Sequence, residues 1–188
     1  DAVCPFGSGK LIPAGIMREK IDALKRADII VLTKSEQVSQ SEIDALMSTV
    51  KNYADPSKIF TSKICLDSWL LKGTDEKPKP GAKVFAFSAI GSPESFRRSI
   101  KHYGLILAGQ KEFRDHHKYS RRDIERIYAL AKNIGADFMI CTEKDLYNFP
   151  EKICWNFDIP LIVPKVKAVV NESEKFFALL IECLRPKI

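Results

Sequence analysis

The densest group of chemically active side chains in this sequence is the segment RDHHKY at residues 114–119. It places an acid, two imidazoles, two cations and a phenol within six residues. Histidine titrates near neutral pH, and a neighbouring carboxylate can fix its tautomer or raise its basicity. Asp115 and His116 are therefore candidates for acid–base chemistry, whereas the plain alternative is an exposed turn with incidental histidines.

Two further polar segments follow predicted strands. VLTKSE, at residues 31–36, ends a strand with Thr-Lys-x-acid. Lys34 in this segment either binds a ligand or is a solvated surface charge. CTEKD, at residues 141–145, places Lys144 and Asp145 after another strand, where Thr142 and Asp145 fit a helix cap equally well. Ligands of open α/β sheets bind beyond the carboxyl ends of the strands, so both segments are candidates for binding.

The segment PFGSGKLIPAG, at residues 5–15, resembles a phosphate-binding loop but lacks its spacing. A Walker A loop needs four residues between its glycines and a hydroxyl after its lysine. Gly7 and Gly9 are two residues apart, and Leu11 follows the lysine. A tight turn is therefore expected. Arg18 follows this turn and could clamp a phosphate with its planar fork, although alone it fits a solvated charge at a helix start.

The elements that must position these residues alternate between helix and strand. Apolar periodicity, caps and β-branched runs predict helices at 16–26, from Ser39, at 92–103, from Ser120 and near the C-terminus, and strands at 27–34, 84–90, 105–109 and 137–142, with extended segments at 58–71 and 159–170. Such alternation predicts an α/β fold with a mainly parallel sheet and flanking helices. The polar stretch 72–83 divides the chain into residues 1–56, an extended connection at 57–83 and a lobe at 84–188.

The composition narrows the class of protein without choosing its ligand. The 188 residues are 45% hydrophobic and 29% charged, which suits a globular protein. A net charge of +6 and a pI near 9.0 favour anionic partners such as nucleic acid, phosphorylated ligands or a membrane surface. The five cysteines form no C-x-x-C pair, which indicates neither a disulfide framework nor a zinc site. No apolar stretch approaches 18 residues.

Four segments, taken in order, resemble the tetraacyldisaccharide 4′-kinase (lipid A 4′-kinase) family. They are PFGSGKLIPAGIMRE (5–19), FAFSAIGSPESF (85–96), FRDHHKYS (113–120) and TEKD (142–145). The departures are modest: Ser8 stands where the family has asparagine, Ile12 where it has leucine, and Met17 precedes Arg18. The family's Walker A loop and Asp-Asp-Gly motif are not in this sequence, so the resemblance implies the C-terminal portion of a P-loop-kinase-like protein in two lobes. A start at Asp1, without methionine, fits that expectation.

The resemblance implies an ATP-dependent kinase that uses Mg²⁺ to phosphorylate the 4′-hydroxyl of tetraacyldisaccharide 1-phosphate. His116, with Asp115, resembles the histidine that works with an N-terminal aspartate, which takes the proton from the substrate hydroxyl. The resemblance also implies that Asp1 and Lys34 bind the cofactor, with Asp1 near Mg²⁺. It implies that the substrate is bound by Arg18, His117 and Tyr119. It further marks four motif residues without an assigned role: Gly7, Gly9, Lys144 and Asp145.

The implied partners are the lipid disaccharide 1-phosphate, the missing N-terminal P-loop region and the cytoplasmic face of the bacterial inner membrane, bound peripherally, with no nucleic acid. Without the P-loop region we expect this chain alone to be inactive. The sequence leaves three alternatives open. They are a GTP-binding module that uses the TKSE strand end, a DHH-type metal-dependent phosphoesterase, and a non-catalytic domain that binds anionic membrane.

Overall fold

The computed structural model describes residues 1–150 and 155–185. Its six strands follow the order β1-β2-β6-β5-β3-β4. The strands are β1 (Ile30–Leu32), β2 (Ile59–Lys72), β3 (Lys83–Ser88), β4 (Ile106–Glu112), β5 (Phe138–Ile140) and β6 (Leu161–Val170). The α-helices are α1 (Gln40–Lys51), α2 (Pro93–His102), α3 (Arg121–Asn133), α4 (Glu143–Leu146) and α5 (Ser173–Leu184). The prediction of a mainly parallel α/β sheet is confirmed.

The chain forms two compact units, and β2 and β6 contribute residues to both. The first unit comprises Asp1–Cys65 and the described residues from Lys167 onward. In it, β1 pairs in parallel with the start of β2, with Ile30 opposite Ile59. Helix α1 begins at a capping box formed by Ser39 and Glu42, as the sequence predicts. Its buried face packs on β1 in a small core built from Ala2, Ile30, Leu32, Ile43, Leu46, Val50 and Ile59.

The second unit, Leu66–Val166, is organised around β3. Strands β4 and β5 flank β3 in parallel, and β6 pairs in parallel with β5. Because both faces of β3 are covered, its side chains from Val84 to Ser88 are all buried. One face packs against α3 through Phe87, Ile124, Ile127 and Met139, and the other against α2 through Val84, Phe96 and Ile100.

The prediction of a helix over residues 16–26 is wrong for the first part of that range. Only a 3₁₀-helix, Ile21–Arg26, forms there. The Met17 N–H donates to the Lys10 carbonyl, and the Met17 carbonyl accepts from the Ile12 N–H. These bonds tie Met17 back to the preceding loop, so its backbone groups are unavailable to a helix.

The caps of α2 and the length of β1 also differ in detail from expectation. Ser92 is at the N-cap of α2 and Pro93 is its first residue, but the Ser92 side chain makes no capping hydrogen bond. Strand β1 is shorter than the predicted 27–34 and is followed by Lys34 in the left-handed conformation. In the described part of the chain, no helix combines the length and apolar composition needed to cross a bilayer.

Candidate functional site

The candidate residues form two groups, one in each unit. Asp115, His116, His117, Tyr119, Lys144 and Asp145 belong to the second unit, and Gly7, Gly9, Arg18, Asp1 and Lys34 to the first.

The loop after β4 presents His116 to solvent on a fixed backbone. His116 has a φ of 61°, in the left-handed region that non-glycine residues seldom adopt. Its N–H donates to the Ala89 carbonyl at 3.2 Å and to Asp115 Oδ1 at 3.1 Å. Its side chain is 92% exposed, with Nε2 3.7 Å from Asp115 Oδ2. An exposed imidazole beside a carboxylate can hold or pass a proton, which is the chemistry expected of this pair.

His117, in contrast, packs into the protein. Its ring stacks on Phe113 with centroids 4.7 Å apart and meets Tyr119 edge-on at 5.3 Å. Its Nε2 lies 3.2 Å from Asp123 Oδ2, in the capping box of α3. Hydrogen bonds from Ser120 and then from His117 lower the pKa of Asp123. The side chain of His117 is still 32% exposed, so one edge of the ring remains accessible.

Tyr119 is buried, and its hydroxyl is used inside the protein. The residue is 3% exposed, and its hydroxyl donates to Asp145 Oδ1 at 2.9 Å. Its ring packs edge-on against Phe87 and Phe149. Burial first, and then the Asp145 charge, raise the pKa of Tyr119, so the phenol stays protonated. This placement favours an indirect role for Tyr119 over the substrate contact that the resemblance implies.

Asp145 is the centre of a buried hydrogen-bond network that links three of the four family-like segments. Its Oδ2 accepts from the Thr142 N–H at 3.0 Å and from the Thr142 hydroxyl at 2.6 Å, which confirms the predicted cap of α4. Its Oδ1 accepts from the Ala89 N–H at 2.8 Å and from Tyr119. Lys144, next to it, is exposed.

The part of this network that sequence reasoning missed is Ala89. It lies 56 residues from Asp145 along the chain, directly after β3. An alanine carries no chemical signal of its own, and no local spacing relates it to the TEKD segment. Only the parallel pairing of β3 with β5 brings the ends of these strands together.

In the first unit, Asp1 and Lys34 come together as an ion pair. Lys34 Nζ lies 2.5 Å from Asp1 Oδ2, and Asp1 Oδ1 accepts from the Val3 N–H at 3.0 Å. Carboxylate oxygens are the donors that Mg²⁺ takes, and Mg²⁺ is commonly held by one or two carboxylates together with substrate phosphates. A single carboxylate at Asp1 therefore fits nucleotide-bound Mg²⁺. Within the described residues, no group of three or more metal-ligating side chains exists.

Ser35 and Glu36 of the TKSE segment form hydrogen bonds with β2. Ser35 Oγ donates to the Ser62 carbonyl at 3.1 Å, and Glu36 Oε2 accepts from the Ile64 N–H at 3.1 Å. Glu36 therefore anchors the end of β1 to β2, whereas recognition of a nucleotide base would need this carboxylate to accept a hydrogen bond from the ligand.

A groove of about 940 Å³ opens beside this strand end, within the first unit. Ser35 and Glu36 line one side, Lys63 of β2 lines another, and Asn171 and Lys175 lie before and within α5. The volume is in the range of sites that hold small organic ligands or cofactors. Both signs of charge line it, so the groove offers donors and acceptors for a polar ligand.

The glycine-rich loop is a self-contained turn, as its spacing predicts. Gly7 and Gly9 have φ values of 51° and 70°, and the Gly9 N–H donates to the Phe6 carbonyl at 2.8 Å. Arg18, after this loop, is exposed, and no side chain of the described residues pairs with it. Its guanidinium is thus free to bind an anion.

The family described as LpxK, tetraacyldisaccharide-1-P 4′-kinase, matches residues 1–185. The tetraacyldisaccharide 4′-kinase of Halothermothrix orenii is 33% identical over 79% of this chain and 42% of its own length. That of Rickettsia felis is 38% identical over 77% of this chain and 39% of its own. The chain thus spans less than half the length of these curated relatives.

A solved structure shows the same fold. The crystal structure of the "apo" form of LpxK from Aquifex aeolicus in complex with ATP matches 95% of this chain and 49% of its own, with a TM-score of 0.58 and 22% identity. At that identity the likeness shows the fold, and it confirms the prediction of a P-loop-kinase-like α/β architecture. By its match over residues 1–185 and by these relatives, the chain belongs to the tetraacyldisaccharide 4′-kinase family.

Proposed function

We propose that this chain supplies the C-terminal half of an ATP-dependent kinase that phosphorylates the 4′-hydroxyl of tetraacyldisaccharide 1-phosphate in lipid A biosynthesis. The name of the relatives supports the acceptor, and their greater length supports a further region, in which the proposal places the P-loop. The observation that carries the proposal is the exposed His116 imidazole, held beside Asp115 at the carboxyl end of β3.

The acceptor side of the reaction is assigned to the second unit. Phosphoryl transfer depends mainly on positioning and on stabilising charge, and it needs a group that removes the proton from the attacking hydroxyl. In this proposal the base is an aspartate of the N-terminal half, and His116 orients and tunes it through its imidazole. Asp115 Oδ2 lies 3.7 Å from His116 Nε2, where it can help to orient the imidazole. His117 is proposed to contact the substrate through its exposed edge.

The nucleotide side is assigned to the first unit. ATP supplies the phosphoryl group, and Mg²⁺ neutralises charge on its phosphates. The Aquifex aeolicus protein is described in complex with ATP, which supports ATP as the nucleotide here. Asp1 would hold Mg²⁺, Lys34 would bind a phosphate in place of its present partner, and the groove beside Ser35 is the candidate site for the rest of the nucleotide.

A membrane surface is the proposed place of action, on the cytoplasmic face of the inner membrane. The net charge of +6 favours an anionic bilayer. The loop that follows Gly9 adds exposed apolar side chains, Leu11, Ile12 and Ile16, next to Arg18, which is also exposed. Arg18 would bind a phosphate of the lipid substrate. We expect the protein to co-sediment with phosphatidylglycerol vesicles but not with phosphatidylcholine vesicles. This binding should weaken as the salt concentration rises.

The family match favours this function over the alternatives that the sequence left open. A GTP-binding module would need the acidic residue of TKSE, Glu36, to be free to bind the guanine base. Glu36 instead accepts a hydrogen bond from the Ile64 N–H. The DHH-type phosphoesterase reading needs a cluster of metal ligands, which the described residues do not form.

The experiment that tests the proposal joins this chain to the N-terminal half of the Halothermothrix orenii relative. The readout is transfer of labelled phosphate from ATP to tetraacyldisaccharide 1-phosphate. We expect transfer by the fusion, none by this chain alone, and none to an acceptor whose 4′-position already carries phosphate. The proposal is refuted if a folded fusion, assayed beside the active intact relative, transfers no phosphate above the level without enzyme.

A further inference from the structure

The buried carboxylate of Asp145 does more than cap a short helix. Of the three complete capping boxes in residues 1–150 and 155–185, those of α1 and α3 place their carboxylates, Glu42 and Asp123, at the surface or half-buried. Asp145 is 0% exposed, although the helix that it caps has only four residues. A buried charge is strongly unfavourable unless hydrogen bonds satisfy it, and one oxygen, Oδ2, already suffices for the cap.

The second oxygen of Asp145 binds the end of β3. Oδ1 accepts from the Ala89 N–H at 2.8 Å, which fixes the first peptide group after the strand. The carbonyl of the same residue, Ala89, accepts from the His116 N–H at 3.2 Å. Asp145 is therefore connected to the backbone of His116 through one residue.

The same oxygen also fixes the far end of the loop that carries His116. The hydroxyl of Tyr119, three residues after His116, donates to Oδ1 at 2.9 Å. The near end is bound separately, because the Phe113 N–H donates to the Ser88 carbonyl at 2.9 Å. A left-handed residue such as His116 persists only where its surroundings over-determine its backbone, and these contacts provide that constraint.

We propose that Asp145 is a positioning residue for His116, acting through Ala89 and Tyr119 to hold the loop that presents its imidazole. The positioning itself is a property of this chain, while its consequence for phosphate transfer rests on the proposed function. A reacting group must be held within about half an ångström of its productive position, so loosening this loop would slow the transfer without changing nucleotide binding.

The first arm of the test is amide hydrogen exchange of this chain, followed by NMR. In Asp145→Asn the amide group offers only one acceptor oxygen, so either the Ala89 N–H or the Thr142 N–H loses its partner. We expect the His116 N–H to exchange roughly tenfold faster than in the wild type. The matched control is Thr142→Val, which removes one donor to Oδ2 and leaves the Oδ1 contacts, and which should leave exchange at His116 within about twofold of the wild type.

The second variant, Tyr119→Phe, keeps the ring packing and removes one donor to Oδ1. It should raise the exchange rate of the His116 N–H by about threefold, and it tests the positioning role of Asp145 if Asp145→Asn does not fold. Unchanged His116 exchange in whichever of these two variants folds overturns the proposal.

The second arm is the kinetics of the fusion protein, with kcat counted per ATP-binding site. Asp145→Asn should lower kcat by at least roughly tenfold while KM for ATP stays the same, because loss of position affects the transition state alone. A merely structural defect would instead lower the number of ATP-binding sites. If the variants exchange faster at His116 but the unmutated fusion is inactive, the positioning role of Asp145 is supported and the proposed function is refuted. Faster exchange in an active fusion with unchanged kcat would overturn the catalytic consequence.

Discussion

Removal of the Tyr119 hydroxyl should destabilise the second unit by an amount that the structure allows us to estimate. In Tyr119→Phe the ring keeps its contacts with Phe87 and Phe149, and the only loss is the 2.9 Å bond to Asp145. A hydrogen bond to a charged group contributes about 1.5–3 kcal/mol. Asp145 keeps three other donors, so we expect a loss of about 2 kcal/mol in the free energy of unfolding.

The assay is urea unfolding followed by tryptophan fluorescence. Both tryptophans of the sequence, Trp69 and Trp155, lie in the second unit, and Trp155 packs on the same cluster as Tyr119. The midpoint should fall while the slope with urea stays constant, since the surface exposed on unfolding is nearly the same.

The matched control is Tyr147→Phe, because Tyr147 follows α4 directly and is 84% exposed. A substitution at such a surface site should change the free energy of unfolding by less than about 0.5 kcal/mol. If Tyr119→Phe falls within that same small range, the hydroxyl does not stabilise Asp145, and the reasoning about the buried network is refuted.

Three further predictions concern titration, reactivity and packing. Tyr119 has a raised pKa when folded and a pKa near 10 when unfolded, so its contribution to stability is complete below about pH 10 and is lost as pH rises further. In urea titrations the stability difference between wild type and Tyr119→Phe should therefore stay constant up to about pH 9 and shrink above about pH 10. Burial raises the pKa of the Cys141 thiol, so native alkylation mapped by mass spectrometry should modify the exposed Cys183 and spare Cys141; equal labelling would contradict the burial. Ile124→Ala, at 0% exposure, should cost about 2–5 kcal/mol by calorimetry, whereas the partly exposed Ile134→Ala should cost clearly less.

The parts of the fold with local signals could be predicted from the sequence. Ser39, Ser120 and Thr142 each precede a helix, and each proves to be its N-cap, because a capping box is complete within four residues. The apolar run of β3 likewise predicts a strand, which proves to be buried, and that of β6 predicts an extended segment, whose first four residues are buried. These signals fix the alternation of elements and hence the α/β class.

The parts that failed depend on contacts between distant residues. The periodic segment at 16–26 has helical spacing, yet hydrogen bonds from Met17 to the preceding loop override it. In the site, the Asp1–Lys34 pair joins residues 33 apart, and the Asp145–Ala89 bond joins residues 56 apart. The sequence could identify Asp145 as a motif residue, but its role depends on the strand order, which local patterns do not contain.

The measurement that tests the central claim most directly is kcat of the fusion protein with His116→Ala. The control is His102→Ala, since His102 is an exposed histidine at the end of α2. A group that assists proton transfer contributes about 10²–10⁴ in rate, so we predict a fall in kcat of at least about a hundredfold for His116→Ala and no more than about twofold for the control. Equal activity of His116→Ala and wild type would contradict the assignment of the DHHKY loop to the reaction.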